Sequence, residues 1–148
     1  METSTINLNK YKISNNYTTL EQSEELLKLG LSTKTADMYY FCDPTPAGNV
    51  MIPTLIIIEK HFHSRLPEYN RGDVPCWTLD ALLKLLRSYN DCNSLNIFSN
   101  RSQKWQVTIS YYDTVWKEYK EININLFEAT YNTVVWLLKN GYLKTENK

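Results

Sequence analysis

Apolar residues recur along this chain with two different spacings, and the spacings divide it into helices and strands. Leu20, Ser23, Leu26 and Leu27 follow a three-and-four rhythm that places them on one face of a helix. Thr18-Thr19-Leu20-Glu21 ahead of them has the spacing of a capping box, in which the Thr18 hydroxyl and the Glu21 carboxylate satisfy each other's orphan backbone donors. Gly30 stands where a left-handed C-cap belongs, with Leu31 able to fold back on the last turn, so a helix over 20–29 is predicted. A second stripe, Leu79, Leu82, Leu83, Leu86 and Tyr89, follows Thr78 as cap, with Asp80 in the first turn and Arg87 in the last to suit the macrodipole. Trp77 precedes that cap and is expected to pack back on Leu82 as half of a hydrophobic staple. Asn125 caps a third helix with Glu128 three residues on. Its stripe is Phe127, Thr130, Tyr131, Val134 and Leu138, flanked by Leu126 and Leu137 and stopped at Gly141 with Tyr142 beyond. Two of these helices end in Leu-Leu-Lys-x-Gly, an echo that shared C-capping explains better than duplication.

Between the helices the period falls to two. Trp105, Val107, Ile109 and Tyr111 alternate with Gln106, Thr108, Ser110 and Tyr112, the pattern of a strand with one packed and one wet face. Leu95–Ser99 and Lys104–Tyr112 form an expected hairpin joined through Asn100-Arg101-Ser102, after the helix is stopped by Asn90–Asn93. Val115–Lys120 reads either as a third antiparallel strand or as a helical turn, and the tight Asp113-Thr114 turn before it favours the strand. Earlier, residues 32–37 have the composition of one helical turn and Met38–Cys42 that of a short aromatic strand. Residues 43–49 carry two prolines and a glycine and read as a loop, followed by strand at Val50–Ile52 and Thr54–Ile58 with Pro53 implying an edge or a bend. Residues 64–76 make the longest expected irregular segment. The sum is a single α+β domain over 18–143, with three amphipathic helices packed on a small, mainly antiparallel sheet. A loose N-terminal arm over 1–17, with strand character near Tyr11–Ile13, and a tail over 144–148 flank it.

Composition narrows the chemistry. A chain of 148 residues suits one domain, and 43% hydrophobic with 22% charged residues is a globular balance. Sixteen basic residues offset sixteen acidic ones, which removes the bulk attraction to phosphate or anionic lipid. The four glycines are isolated, so neither a phosphate-binding loop nor a dinucleotide fingerprint can be written, and no nucleotide or other cofactor is implied. Cys42, Cys76 and Cys92 are odd in number and lack a C-x-x-C, which points to free thiols in a reducing compartment. The N-terminus lacks the basic and apolar regions of a signal peptide, and the longest aliphatic run, Leu55–Ile58, is far short of a membrane span. A cytoplasmic protein is expected.

Few residue groups carry chemistry. Glu59-Lys60-His61-Phe62-His63 holds both histidines. On a strand, Glu59, His61 and His63 would share a face and offer two imidazoles and a carboxylate to a metal, against the plainer reading of a solvated strand end. Cys76 sits at a helix N-terminus, the best placed of the three cysteines for a thiolate nucleophile, but a small buried residue beside Trp77 is the simpler expectation. Eleven tyrosines and four tryptophans raise single-stranded nucleic-acid binding on a sheet surface, where Tyr112 and Phe98 would supply a small stacking platform. Only Lys104 lies near it, so a basic groove is missing and nucleic acid is disfavoured. Arg71-Gly72-Asp73 reads as a turn, and Asn16-Tyr17-Thr18 and Asn100-Arg101-Ser102 match a glycosylation pattern that a cytosolic protein does not use.

The blocks T-L-E-Q-S-E-E-L-L-K-L-G-L at 19–31, A-D-M-Y-Y at 36–40, P-C-W-T-L-D-A-L-L-K-L-L at 75–86 and V-V-W-L-L-K-N-G-Y-L at 134–143 resemble short uncharacterised proteins encoded in prophages and mobile elements of gut Bacteroidales. The resemblance spans roughly residues 10–143 in blocks separated by variable loops. It implies a context, an accessory protein of a phage or mobile element in a bacterial cytoplasm, and carries over no functional residues. The matching blocks coincide with caps and core stripes. The expected function is that of a non-enzymatic accessory or interaction protein that binds a protein partner or its own copies, since a neutral surface does little to keep molecules apart. An aromatic stretch around Phe62, Leu66 and Tyr69 offers contacts. The alternative is a metal-dependent or single-stranded nucleic-acid-directed activity centred on Glu59, His61 and His63.

Overall fold

The computed structural model describes residues 16–45, 48–55, 74–89, 94–143 and 145. In chain order these form α1 (Leu20–Lys28), a 3-10 turn (Thr33–Thr35), β1 (Met38–Thr45), β2 (Gly48–Leu55), β3 (Val74–Cys76), α2 (Leu79–Ser88), β4 (Leu95–Ser99), β5 (Trp105–Asp113), β6 (Val115–Asn123) and α3 (Leu126–Lys139). The three helices and the antiparallel strands make the α+β architecture the sequence predicts. The strands divide between two sheets, ordered β2-β1-β3 and β4-β5-β6. No helix among the described residues is long and apolar enough to cross a membrane.

Both glycine-terminated helices end in the same way. Leu31 N–H donates to Leu26 carbonyl (3.0 Å) and Gly30 N–H to Leu27 carbonyl (2.9 Å); Tyr142 N–H donates to Leu137 (2.9 Å) and Gly141 N–H to Leu138 (3.2 Å). These crossed bonds are Schellman motifs, which require a left-handed residue, and Gly30 and Gly141 hold φ of +92° and +76°. The repeated Leu-Leu-Lys-x-Gly thus encodes a helix stop, as its spacing implies.

The start of α1 differs from expectation. Thr19, not Thr18, is the N-cap, and Gln22, not Glu21, completes the box: Thr19 Oγ1 accepts from Gln22 N–H (3.1 Å) while Gln22 Oε1 accepts from Thr19 N–H (3.0 Å). The box moves by one residue because the Thr18 hydroxyl is committed to the interior, where it accepts from the backbone of Trp77 (3.0 Å). Gln22 has a second role, since its Nε2 donates to both oxygens of Glu128 (3.1 and 3.0 Å) and so ties the first turn of α1 to the first turn of α3. The caps Thr78 and Asn125 stand where the sequence places them, each accepting from the N–H three residues on.

The loop expected over 43–49 contracts. Thr45 pairs with Gly48, Pro44 with Asn49 and Asp43 with Val50, leaving residues 46 and 47 between the strands, outside the described residues. Pro44 is tolerated because β3 pairs only with Met38–Tyr40, so among the described residues the far end of β1 has a neighbour on one side alone. Among the described residues β2 is a sheet edge, which accommodates Pro53 without interrupting the strand. Of the irregular segment expected over 64–76, Val74–Cys76 forms β3 on β1, and residues 64–73 lie outside the described residues. The helical turn expected over 32–37 is the 3-10 turn.

One core joins the three helices to β4–β6. Leu26, Trp77, Leu82, Leu86, Val107, Ile109, Val134 and Leu137 are all fully buried, each such side chain contributing about 1.5–3 kcal/mol relative to exposure. The α2 stripe turns slightly from the expected one, with Ala81 and Leu85 buried and Leu83 half-buried. Trp77 is buried in the same core as Leu82, and its indole Nε1–H is satisfied by Thr35 Oγ1 (2.8 Å). Met38, Tyr40 and Cys76 form a satellite cluster under the first sheet. Val115–Lys120 is strand and continues to Asn123, in register with β5 throughout.

Two consequences for stability follow from the left-handed residues. Gly141→Ala should cost about 1 kcal/mol from backbone strain alone, because a Cβ there meets open space. Gly30→Ala should cost about 1–3 kcal/mol more, since its Cβ would lie 2.8 Å from Thr145 Cβ; equal losses in urea denaturation would contradict this. At the β5–β6 turn, Thr114 holds φ of +60°, a conformation costly for a β-branched residue. Thr114→Asn should therefore raise stability by about 0.5–1 kcal/mol in the same measurement, and a loss would refute the strain.

Candidate functional site

The residues singled out for chemistry fall into three groups. Glu59, His61 and His63 lie outside the described residues, as do Phe62, Leu66, Tyr69, Arg71–Asp73 and Cys92. Cys42 is paired with Met51 in the backbone register of β1 and β2. Among the described residues no three His, Cys, Asp or Glu side chains gather as a metal site. Asn100 does structural work: its Oδ1 accepts from the N–H groups of Ser102 and Lys104, both at 3.0 Å, and shapes the β4–β5 turn.

Cys76 is fully buried. Its thiol lies 3.6 Å from Thr18 Oγ1 and donates toward the Thr18 carbonyl at 3.4 Å, which also receives the Tyr40 hydroxyl at 2.6 Å. Burial pushes the thiol up to about 11, outweighing the hydrogen bonds from Thr18 and Tyr40 that favour the thiolate. Burial, reinforced by Cys76, raises the Tyr40 phenol as well. The helix N-terminus that suggested a reactive cysteine therefore loses to desolvation, and Cys76 is a neutral packing residue. Thr18 Oγ1 also hydrogen-bonds Ser23 Oγ at 2.7 Å, so strand, helix and thiol meet at one buried polar node.

A shallow cleft of about 300 Å³ between the 3-10 turn and α2 has Lys34, Asp37 and Lys84 at its mouth. Asp37 is already engaged, accepting from Thr78 N–H (3.0 Å) and from the Thr78 hydroxyl, and Lys84 pairs with Asp80 (3.2 Å). Two of its charged groups are therefore committed to α2, Asp37 at its N-cap and Lys84 along its exposed side.

The more open chemistry lies on the second sheet. α3 and the core cover the face carrying Val107 and Ile109, where Tyr119 stacks on Trp136 with ring centres 4.2 Å apart. The opposite face bears Phe98, Tyr112, Trp116 and Ile122, exposed by 46, 52, 57 and 47%. The register builds it in rows: Phe98–Gln106–Ile122, then Asn96–Thr108–Lys120, then Ser110–Glu118, then Tyr112–Trp116. Tyr112 and Trp116 meet edge to face at 5.3 Å. A depression of about 280 Å³ crosses the middle, between Phe98 and Lys120. This face is less wet than the alternation implies, because Thr108 is only 5% exposed and receives the Gln106 amide at 3.1 Å.

Phe98 and Tyr112 thus share the face expected of them, joined by Trp116 and Ile122, which come into view only once β6 is in register. Lys120 and Glu118 are the charges in the rows, so the platform carries no basic excess.

The Cys76 environment sets a pH dependence. An acid whose folded value is raised stabilises the fold fully below its ordinary value of about 8.5 and loses that contribution as pH climbs toward 11. Urea midpoints should fall across this interval, and Cys76→Ala should lose less than the natural chain. In native protein, iodoacetamide followed by peptide mapping should leave Cys76 unmodified until urea is added. Rapid native labelling at Cys76 would refute its burial.

This chain matches no protein-family model, no curated protein and no solved structure.

Proposed function

We propose that the protein is a non-enzymatic accessory protein that works by binding other protein chains, in the cytoplasm of a bacterium that carries it on a phage or mobile element. The observation that carries the reading is the face of the β4–β6 sheet that no other element among the described residues covers, with Phe98, Tyr112, Trp116 and Ile122 all about half exposed. Large apolar and aromatic side chains gathered on one face mark contact surfaces, and aromatic residues dominate contact energies. Cys76 is a buried neutral thiol, which supports binding over nucleophilic chemistry at that residue. The neutral balance of sixteen basic and sixteen acidic residues supports protein over nucleic acid as partner. The genetic context is supported by the resemblance to mobile-element proteins of Bacteroidales.

The test compares the tagged full chain with a Phe98→Ser, Tyr112→Ser variant in a Bacteroidales lysate, bound proteins being quantified by mass spectrometry. Both positions are exposed, so the variant should keep its circular dichroism and urea midpoint. The natural chain should retain a protein, foreign or its own kind, at least about tenfold more than the variant, a loss of about 1.4 kcal/mol. Identical profiles would overturn the reading.

A further inference from the structure

The outer edge of the second sheet is β6, a nine-residue strand with no pairing strand beyond it among the described residues. An edge of this length presents a row of backbone donors and acceptors, and natural proteins blunt such edges with charge, usually Lys. The charges of β6 have a different order. Its sequence is Val115-Trp-Lys-Glu-Tyr-Lys-Glu-Ile-Asn123, and read outward from Tyr119 it is antisymmetric in sign. Glu118 stands against Lys120, Lys117 against Glu121, and Trp116 against Ile122.

That order matters if the strand meets its own copy. Two identical antiparallel strands are related by a two-fold axis perpendicular to the sheet. Because the axis keeps each side chain on its own face, it must pass where a residue lies opposite itself. Of the five central positions, 117, 118, 120 and 121 would place Lys on Lys or Glu on Glu, a destabilising arrangement for directly opposed charges. Only Tyr119 avoids it. In that register every charged pair is attractive, and Ile122 lies beside the partner's Trp116.

We propose that the protein forms a two-fold dimer by antiparallel pairing of β6 with β6 centred on Tyr119, giving one continuous six-stranded sheet. The proposal deepens the interaction reading above, on which it rests, by naming the partner as a second copy of this chain. The axis keeps both helical layers on one side of the sheet and both uncovered faces on the other. The row Phe98–Gln106–Ile122 of one copy then continues into the partner's Trp116 and Tyr112. Side chains that stand half exposed in one chain, Trp116 at 57% and Ile122 at 47%, would meet across the junction. On the same face Glu118 and Lys120 have no ion-pair partner among the described residues, and the register supplies one to each. On the helix side Lys117 is held by Asp113 at 3.3 Å and Glu121 by Tyr119 and Asn132, so the pair Glu118–Lys120 on the opposite face is the one that substitution reads cleanly. Main-chain hydrogen bonds provide the affinity of such strand addition, and the side-chain pairs provide its register.

The experiment is sedimentation velocity on the full chain and on charge variants at two exposed positions. The natural chain should dimerise. Glu118→Lys alone places Lys opposite Lys, and Lys120→Glu alone places Glu opposite Glu, so each should weaken the dimer at least about tenfold. An equimolar mixture of these two variants should recover a heterodimer, because both junction pairs become attractive again, and a chain carrying both substitutions should recover the homodimer. Added salt should weaken the recovered pairs. A natural chain that stays monomeric, or a mixture that associates no better than its components, would overturn the proposal. Circular dichroism on each variant verifies the fold. A failed dimer leaves the interaction reading to be decided by the foreign proteins that the lysate comparison loses with Phe98 and Tyr112, so a failed dimer and a failed interaction reading give different results.

Discussion

The architecture depends on one buried side chain, Thr18. Its hydroxyl accepts from Trp77 N–H and reaches Ser23 and Cys76, while its backbone N–H donates to the Trp77 carbonyl and its carbonyl receives the Tyr40 phenol. A polar group sealed from water must find partners, at a cost of about 1–3 kcal/mol for each left unsatisfied. Meeting that demand fixes the approach to α1, the end of β3 and the start of α2 relative to one another. Leu79 N–H donating to Asn16 carbonyl and the isolated bridge between Tyr17 and Thr78 extend the same seam. Trp77, held on both sides of its peptide, is thereby delivered into the main core, while Cys76 beside it closes the satellite cluster under the first sheet.

What could be read from sequence divides along the same line. Helix stops at Gly30 and Gly141 are legible because a left-handed turn is a local property of the backbone, and caps at Thr78 and Asn125 are legible for the same reason. The first cap is misplaced by one residue because the competitor for the Thr18 hydroxyl, Trp77, is 59 positions away. Distance along the chain also explains the rest. The division of strands between two sheets, the pairing of Val74–Cys76 with β1 and the desolvation of Cys76 are set by contacts that periodicity does not record. Asp43 and Pro44 look like loop residues until β2 is laid beside them. Glu59, His61 and His63 lie outside the described residues, so their chemistry stands as the sequence leaves it.

The second sheet shows how one feature yields to another. Alternation along β5 identifies its buried face from sequence, yet the opposite face becomes a surface only when β4 and β6 are placed in register. Phe98 and Tyr112 then acquire Trp116 and Ile122 as neighbours, and Thr108 is shielded at the centre. The same register turns the mixed charges of β6 from unremarkable solubilising residues into an ordered sequence of signs along an open edge. Sequence shows the composition of such a strand; only its place at the edge gives the order a physical meaning.

The four tryptophans sit at graded depths, with Trp77 fully buried and bonded through its indole, Trp105 and Trp136 half-covered and Trp116 largely in water. The chain therefore carries its own optical gauges. Emission from Trp77 is shielded from a water-borne quencher until the core opens, whereas emission from Trp116 reports the polarity at the sheet edge while the core remains intact. Loss of the fold and coverage of that edge consequently move the fluorescence in opposite directions, the first to longer wavelength and the second to shorter.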